Sequence, residues 1–142
     1  MVMTTPGIEA PRIYPSFHYQ NAAAMIDWLG EAFGFTVHAR YEDGGIVHHA
    51  ELALGSSMIM VGTARDDAYG KVVGRPGSNG GKSSYIAVDD ADATYARAKA
   101  AGAAIIQELT DRDYGSREFI CRDPEGNVWC LGTYWPKADD PA

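Results

Sequence analysis

The sequence is short of cationic side chains, of long apolar runs and of cysteine. It has 12 lysines and arginines against 19 aspartates and glutamates, a formal net charge of -7. Nucleic acids and anionic membranes both recruit clustered cations, so we predict neither as a partner. No apolar run approaches the roughly 18 residues of a membrane span. Residues 1–12 lack the basic and apolar regions of a secretory signal and are predicted to form an irregular lead-in. We therefore expect a cytoplasmic protein.

The two cysteines, Cys121 and Cys130, lie on either side of Asp-Pro-Glu-Gly at 123–126, a sequence typical of a hairpin turn. If those four residues close the turn, Arg122 faces Asn127 and the two thiols lie diagonally on one face of the hairpin. Diagonal neighbours in a sheet are about 7–8 Å apart. Disulfides need Cα atoms about 4.4–6.8 Å apart, so we expect two free thiols.

Hydrophobic periodicity predicts a strand, a helix and three strands, and then the same order again. The first module, 12–62, has a helix capped by Asn21 and ended by Gly34. The second, 83–135, has a helix that begins at Asp89 or Asp90 and ends at Gly102. Equivalent signals recur about 69 residues apart, which indicates an internal duplication. The Gly-rich residues between the modules, 63–82, are predicted to form a linker, with a lid over the cavity as an alternative role.

The predicted fold is one α+β domain of two βαβββ modules, with curled mixed sheets around a cavity and the helices outside. Alternation along the final hairpin assigns each residue to a face. Three apolar residues are predicted to pack under the helix: Ile120, Trp129 and Leu131. Six others are predicted to face the cavity: Arg117, Phe119, Cys121, Val128, Cys130 and Gly132.

Three stretches of the sequence resemble the vicinal oxygen chelate superfamily, which contains glyoxalases, bleomycin-resistance proteins and extradiol dioxygenases. Residues 21–35 resemble its first helix, 49–61 its third and fourth strands, and 113–134 its closing hairpin with the Asp-Pro-x-Gly turn. The resemblance implies the paired βαβββ fold, and it implies a homodimer, because family members commonly complete their cavities across subunits. Members include both metal enzymes and metal-free drug-binding proteins, so the resemblance leaves the function open.

In the enzymes of that family, His, Glu or Gln on the first and fourth strands of each module hold a divalent metal. The matching positions here carry Tyr14, Met60, Ser83 and Cys130. The inward positions two residues away carry Ser16, Met58, Tyr85 and Val128. None of these is an imidazole or a carboxylate, so we expect neither a metal at this site nor another cofactor.

The prediction from these residues is metal-free binding of a hydrophobic or aromatic small molecule. Arg117 could anchor an anionic or carbonyl group of the ligand, whereas the net negative charge favours a cationic ligand. The candidate ligand-binding residues are Tyr14, His18, His49, Glu51, Met58, Met60, Tyr85, Arg117, Phe119 and Cys130.

Two alternatives remain at the level of sequence. One is a metal-dependent lyase or dioxygenase that uses a displaced site made of His18, His49 and Glu51, since His49 and Glu51 share a strand face. The other is an interaction module without a ligand, in which side chains fill the cavity. Chelator-insensitive ligand binding would distinguish the first prediction from both.

Overall fold

The computed structural model describes residues 9–77 and 80–138. Residues 1–8 of the predicted lead-in and residues 78–79 of the predicted linker lie outside the described residues. None of the described helices is long and apolar enough to cross a membrane. Both predicted modules, 12–62 and 83–135, fall inside the described residues.

Each half of the chain forms a strand, a helix and three strands. The first half consists of β1 (Ser16–Tyr19), α1 (Ala22–Phe33), β2 (Thr36–Asp43), β3 (Ile46–Leu54) and β4 (Ser57–Thr63). The second consists of β5 (Ser84–Ala87), α3 (Ala91–Ala100), β6 (Ala104–Asp111), β7 (Arg117–Arg122) and β8 (Val128–Gly132). The sheets have the orders β1-β4-β3-β2 and β5-β8-β7-β6, and each contains one parallel pair. The predicted α+β fold of two βαβββ modules is confirmed.

The two long helices begin and end where the sequence predicts. The Asn21 side chain accepts a hydrogen bond from the backbone N–H of Ala24 at 3.1 Å, and Gly34 ends α1 with a φ of 88°. Asp90, rather than Asp89, caps α3 by accepting from the N–H of Ala93 at 3.0 Å. These signals are local to the chain, which is why they can be predicted without tertiary information.

The predicted linker contains a short helix that the sequence analysis missed, α2 (Ala68–Val73). Asp67 caps it by accepting from the N–H of Gly70, and none of its side chains is buried. At Gly77, which follows it, φ is 84° and an added Cβ would lie 2.5 Å from the carbonyl oxygen of Glu125. Only glycine fits this position, so the segment after α2 rests directly on the turn between β7 and β8.

The two modules pack through their helices and through an aromatic cluster. The indole of Trp28 on α1 donates to the carbonyl oxygen of Ala101 at 2.7 Å, just beyond α3. The Arg97 guanidinium on α3 donates to the carbonyl oxygens of Glu31 and Gly30 near the end of α1. Phe17 of β1 stacks on Trp129 of β8 at 5.2 Å between ring centroids. The modules therefore share one continuous core.

The turn between β7 and β8 joins the modules a second time, through two carboxylates. Asp123 is 3% exposed, and its Oδ2 accepts from the Tyr19 hydroxyl at 2.9 Å and the Trp129 indole at 3.0 Å. Burial first, and then the Asp123 charge, raises the pKa of Tyr19, so this hydroxyl remains a donor. Glu125 accepts from the backbone N–H groups of Gln20 and Asn21, at the start of α1.

The register of this hairpin differs from the prediction by one residue. Arg122 pairs with Val128, not with Asn127, because the Asp123 Oδ1 accepts from the N–H groups of both Glu125 and Asn127 and holds Asn127 within the turn. A slip of one residue moves a whole strand to the opposite face. Here the observed pairing shifts β7 by one residue against β8 relative to the predicted pairing. Each β7 residue therefore faces the side opposite to the predicted one.

Phe119 and Cys121 were predicted to face the cavity, and this prediction is wrong. Both are fully buried on the helix side of the sheet, and the Phe119 ring lies 5.2 Å from that of Tyr95 on α3. Ile120 pairs with Cys130 on the helix-free face, so its predicted place under the helix is also wrong. The two thiols lie on opposite faces and are free, and burial raises the pKa of Cys121 to about 12.

Candidate functional site

A cleft of about 600 Å³ lies between the first strands of the two modules and beneath α2. We call this space the intermodule cleft. Its walls are β1 with the residues before it, residues 82–84 at the start of β5, the start of β8, and α2 with the segment up to Gly77. The duplication places β1 and β5 in equivalent positions, so the cleft forms where the two sheets approach each other.

The lining of the intermodule cleft is apolar on α2 and mixed on the strands, where Phe17 and Val128 lie among polar side chains. α2 contributes Tyr69, Val72 and Val73, all of which are exposed. Hydroxyl and amide groups come from the strand ends: Ser16, Ser83, Ser84 and Asn127. The charged side chains that line it are Arg75 and Lys82, and none of the described lining residues carries a carboxylate. The volume of the cleft lies within the range of about 300–1,000 Å³ that is usual for small-molecule sites.

His18 is the one predicted ligand-binding residue that lines the intermodule cleft. Phe17 and Tyr19 stack together in the core, so His18 between them faces the opposite side, as predicted. Its ring lies 5.3 Å from that of Tyr69, and its buried Nδ1 has no hydrogen-bond partner among the described residues. Burial, followed by the positive charge of Arg65, lowers the pKa of His18. A neutral imidazole with one unpartnered nitrogen can bond to a ligand.

The side chains do not fit the metal of the related enzymes. Ser16 pairs with Met60, and Tyr85 pairs with Cys130, across the parallel strand pairs where the resemblance places metal ligands. In the described part of the chain, no three His, Cys, Asp or Glu side chains are placed to hold an ion. The predicted displaced site is therefore not assembled, because His18 lines the cleft while His49 and Glu51 bond to each other elsewhere on the sheet.

His49 and Glu51 belong instead to a hydrogen-bonded cluster on the helix-free face of the first sheet. The Glu51 carboxylate accepts hydrogen bonds from His49 Nε2 and from His38 Nδ1, each at 3.0 Å. Both contacts lower the pKa of Glu51, and the hydrogen bond with His49 has the larger effect. His38 was not predicted here, because a register shift between Val37 and Ala39 turns it toward Glu51. The sequence carries no signal for that irregularity.

Glu118, not Arg117, occupies the helix-free face of β7. Arg117 points to the helix side, where it pairs with Asp92 of α3 at 3.0 Å and with Asp111 at 3.1 Å. The prediction that Arg117 faces the cavity is therefore wrong. Glu118 accepts from the Tyr114 hydroxyl at 2.7 Å and lies 3.4 Å from Arg112 Nε.

Most other predicted site residues lie on the helix-free faces but outside the intermodule cleft. Met58 and Met60 are half-buried on β4, and their neighbours Ile59 and Val61 enter the core. Tyr85 is 41% exposed, and its hydroxyl donates to the carbonyl oxygen of Tyr134 at 2.8 Å. Cys130 is half-buried opposite Tyr85, and Tyr14 lies two residues before β1. Only His18 of the predicted set lines the cleft.

Gly132 is where the side chains of Glu118 and Tyr85 converge. An added Cβ would lie 2.5 Å from Glu118 Cγ and 2.7 Å from the Tyr85 hydroxyl. We expect Gly132→Ala to lower the free energy of unfolding by about 1–3 kcal/mol, the usual cost of overpacking. Gly62 is the equivalent residue of β4, where an added Cβ meets nothing closer than 3.6 Å. Gly62→Ala is the matched control, and similar urea midpoints for the two variants would contradict the prediction.

Comparisons with known proteins agree with this fold. The Glyoxalase/Bleomycin resistance protein/Dioxygenase superfamily matches residues 17–131. An uncharacterized protein of Mycobacterium bovis is 31% identical over 126 residues, which cover 86% of this chain and 82% of that protein. The crystal structure of TioX from Micromonospora sp. ML1 matches at 28% identity with a TM-score of 0.68, covering 86% of this chain and 94% of that one.

A second solved structure supports the fold alone, because its sequence is more distant. It is a glyoxalase/bleomycin resistance protein/dioxygenase family enzyme from Burkholderia phytofirmans PsJN, with 22% identity and a TM-score of 0.69. The match covers 84% of this chain and 94% of that one. With the family match extending from β1 to β8, this chain belongs to the Glyoxalase/Bleomycin resistance protein/Dioxygenase superfamily.

Proposed function

We propose that this protein binds a small organic molecule with an apolar or aromatic body in the intermodule cleft, without a metal. The observation that carries the proposal is the cleft itself, about 600 Å³ of space between the two modules beneath α2. Ligand sites in proteins commonly enclose about 300–1,000 Å³ and often lie between structural units. The cleft is not filled by the protein's own side chains, which argues against an interaction module without a ligand.

The chemistry of the lining supports binding rather than metal catalysis. Tyr69, Val72 and Val73 present apolar surface to a ligand, and burial of such surface contributes about 25 cal/mol per Å². Hydroxyl groups of the strand ends can orient its polar atoms. The metal-dependent lyase or dioxygenase alternative finds no ligand set among the described residues, because the strand positions carry Met, Ser, Tyr and Cys, and His18 is separated from His49 and Glu51.

Calorimetric titration with 2-naphthalenemethanol, a neutral aromatic probe, tests this function. From typical ligand efficiencies we expect saturable binding with one site per chain and a Kd on the order of 0.1–1 mM. EDTA should leave the Kd unchanged. Loss of binding in EDTA, or no saturable binding at all, would refute the proposed function.

A cleft-obstructing variant shows whether the probe occupies the intermodule cleft. Ser16 is exposed in the cleft, so Ser16→Trp should occupy part of it and weaken binding of the alcohol. Ser57 is an exposed residue at the start of β4 and does not line the cleft, so Ser57→Trp is the matched control. Equal binding by both variants would place the probe elsewhere.

The proposal includes assembly as a homodimer. Large side chains, among them Tyr41, Tyr85 and Tyr114, are more than 40% exposed. A second copy could cover this surface and contribute to the ligand site. Light scattering coupled to size exclusion would give about twice the 15.3 kDa chain mass for a dimer.

A further inference from the structure

The basic residues of this acidic protein are concentrated around α2. Residues 65–82 contain four of the 12 lysines and arginines but only two of the 19 aspartates and glutamates. The remainder of the chain has eight basic and 17 acidic residues. The segment that covers the intermodule cleft is therefore locally positive, opposite in sign to the whole chain.

Two of these four cations line the cleft without a partner in the described part of the chain. Arg75 and Lys82 both line it, and neither forms an ion pair or a hydrogen bond with any described residue. Arg65 differs, because Asp67 neutralises it through an Nε–Oδ2 hydrogen bond of 2.8 Å. No carboxylate lines the cleft among the described residues. Both side chains are exposed, so it is their positive field, rather than any cost of burial, that favours an anion there.

Neutral hydrogen-bonding groups complete the lining. Ser16 and Ser83 supply hydroxyl groups from the first strands of the two modules, and Asn127 supplies an amide from the turn before β8. His18 adds a buried Nδ1 that has no partner among the described residues. A carboxylate or phosphate oxygen accepts several hydrogen bonds at once, so it can use such a group of donors together with the two cations.

We propose that the ligand of the intermodule cleft carries an anionic head group, a carboxylate or a phosphate, bound between Arg75 and Lys82, with its apolar body against Tyr69, Val72 and Val73. This inference rests on the proposed function and specifies the ligand class of the same cleft. The net negative charge of the chain led us to expect a cationic ligand, and an anionic head group is the reverse of that expectation. At physiological ionic strength charges are screened beyond about 8 Å, so cations that touch the ligand outweigh the acidic residues distributed over the rest of the surface.

A matched series of naphthalene probes tests the charge preference. The series is 2-naphthoate, 2-naphthyl phosphate, neutral 2-naphthalenemethanol and cationic 2-naphthylmethylammonium, each titrated by calorimetry at low and at high salt. We expect the better anion to bind at least about tenfold more tightly than the alcohol, as one charge-assisted contact allows. The cation should bind no better than the alcohol. The tighter of the two anions identifies the head group.

Variants without the two positive charges show whether Arg75 and Lys82 cause the preference for an anion. In the double variant Arg75→Gln and Lys82→Gln, the Kd of the better anion should rise about tenfold, while that of the alcohol changes by less than about twofold. Lys99→Gln is the matched control, because Lys99 lies on α3 over the Tyr95 ring, away from the cleft.

The outcomes separate this inference from the function on which it rests. If the alcohol binds but neither anion binds more tightly, or if the double variant binds the anion as well as the parent does, the anionic ligand is refuted and the cleft function remains. If none of the four probes binds saturably, both proposals fall.

Discussion

Replacing Asp123 by alanine should remove a large part of the stability of the whole domain. Asp123 accepts four hydrogen bonds, two at each carboxylate oxygen. The two backbone donors, at Glu125 and Asn127, are only part-buried and can bond to water after the change. Tyr19 and Trp129 cannot, because they are 0% and 1% exposed. A buried donor left without an acceptor costs about 1–3 kcal/mol, and the turn would lose its internal bonds as well.

We therefore expect Asp123→Ala to lower the free energy of unfolding by at least about 3 kcal/mol, where natural domains have about 5–15 kcal/mol in total. Urea denaturation followed by tryptophan fluorescence measures it. Asp89→Ala is the matched control, because Asp89 is exposed and has no side-chain bond, and it should change stability by less than about 0.5 kcal/mol. A loss below about 1 kcal/mol for Asp123→Ala would contradict the prediction.

A milder variant keeps the prediction measurable if Asp123→Ala does not fold. Tyr19→Phe removes one donor, while Asp123 retains its bonds to Trp129 and to the backbone. We expect a loss of about 0.5–1.5 kcal/mol, the net value of one hydrogen bond. A neutral result would mean that the Tyr19–Asp123 contact does not help to join the two modules.

The fold could be predicted because its determinants are local and occur twice. Asn21 and Asp90 cap helices through their own side chains, and Gly34 and Gly102 adopt the positive φ that only glycine takes easily. Alternation then identifies the strands of each module. None of these signals depends on a residue far away in the chain, so the order βαβββ follows from the sequence.

The site was harder to predict, because single-residue irregularities decide which side chains face it. The Asp123 side chain keeps Asn127 in the turn, and the resulting register brings Glu118 to the helix-free face and takes Arg117 and Phe119 away from it. The register shift before Ala39 likewise brings His38 to Glu51. Strand parity cannot reveal such shifts, since an alternating pattern fits either register.

The contribution of α2 to the cleft was missed for a different reason. α2 has six residues and two neighbouring glycine-rich stretches, so it lacks the periodicity that identifies a helix. Arg75 and Lys82 were therefore assigned to a linker, although both line the intermodule cleft. On the strands alternation was sufficient, since four residues predicted to face the cavity also line the cleft: Ser16, His18, Ser83 and Val128.

The conformation of α2 depends on Gly70, and replacing it should disrupt the cleft while leaving the domain folded. An added Cβ at Gly70 would lie 1.9 Å from the carbonyl oxygen of Arg65, a distance that no side chain can occupy. Because that neighbour is backbone, either α2 or the segment at Arg65 must shift, and we expect Tyr69, Val72 and Val73 to be displaced from the cleft. No α2 side chain is buried, so little core packing is lost.

For Gly70→Ala we therefore expect the Kd of 2-naphthalenemethanol to rise at least about tenfold, while the free energy of unfolding changes by less than about 1 kcal/mol. Lys71→Ala is the matched control, because it alters the next exposed residue without a backbone clash, and the neutral probe makes its charge unimportant. Backbone NMR shifts of α2 and of His18, which contacts Tyr69, report the displacement independently of any ligand. Unchanged shifts in Gly70→Ala would show that α2 tolerates a side chain there. Displaced shifts with an unchanged Kd would show that α2 does not cover the ligand.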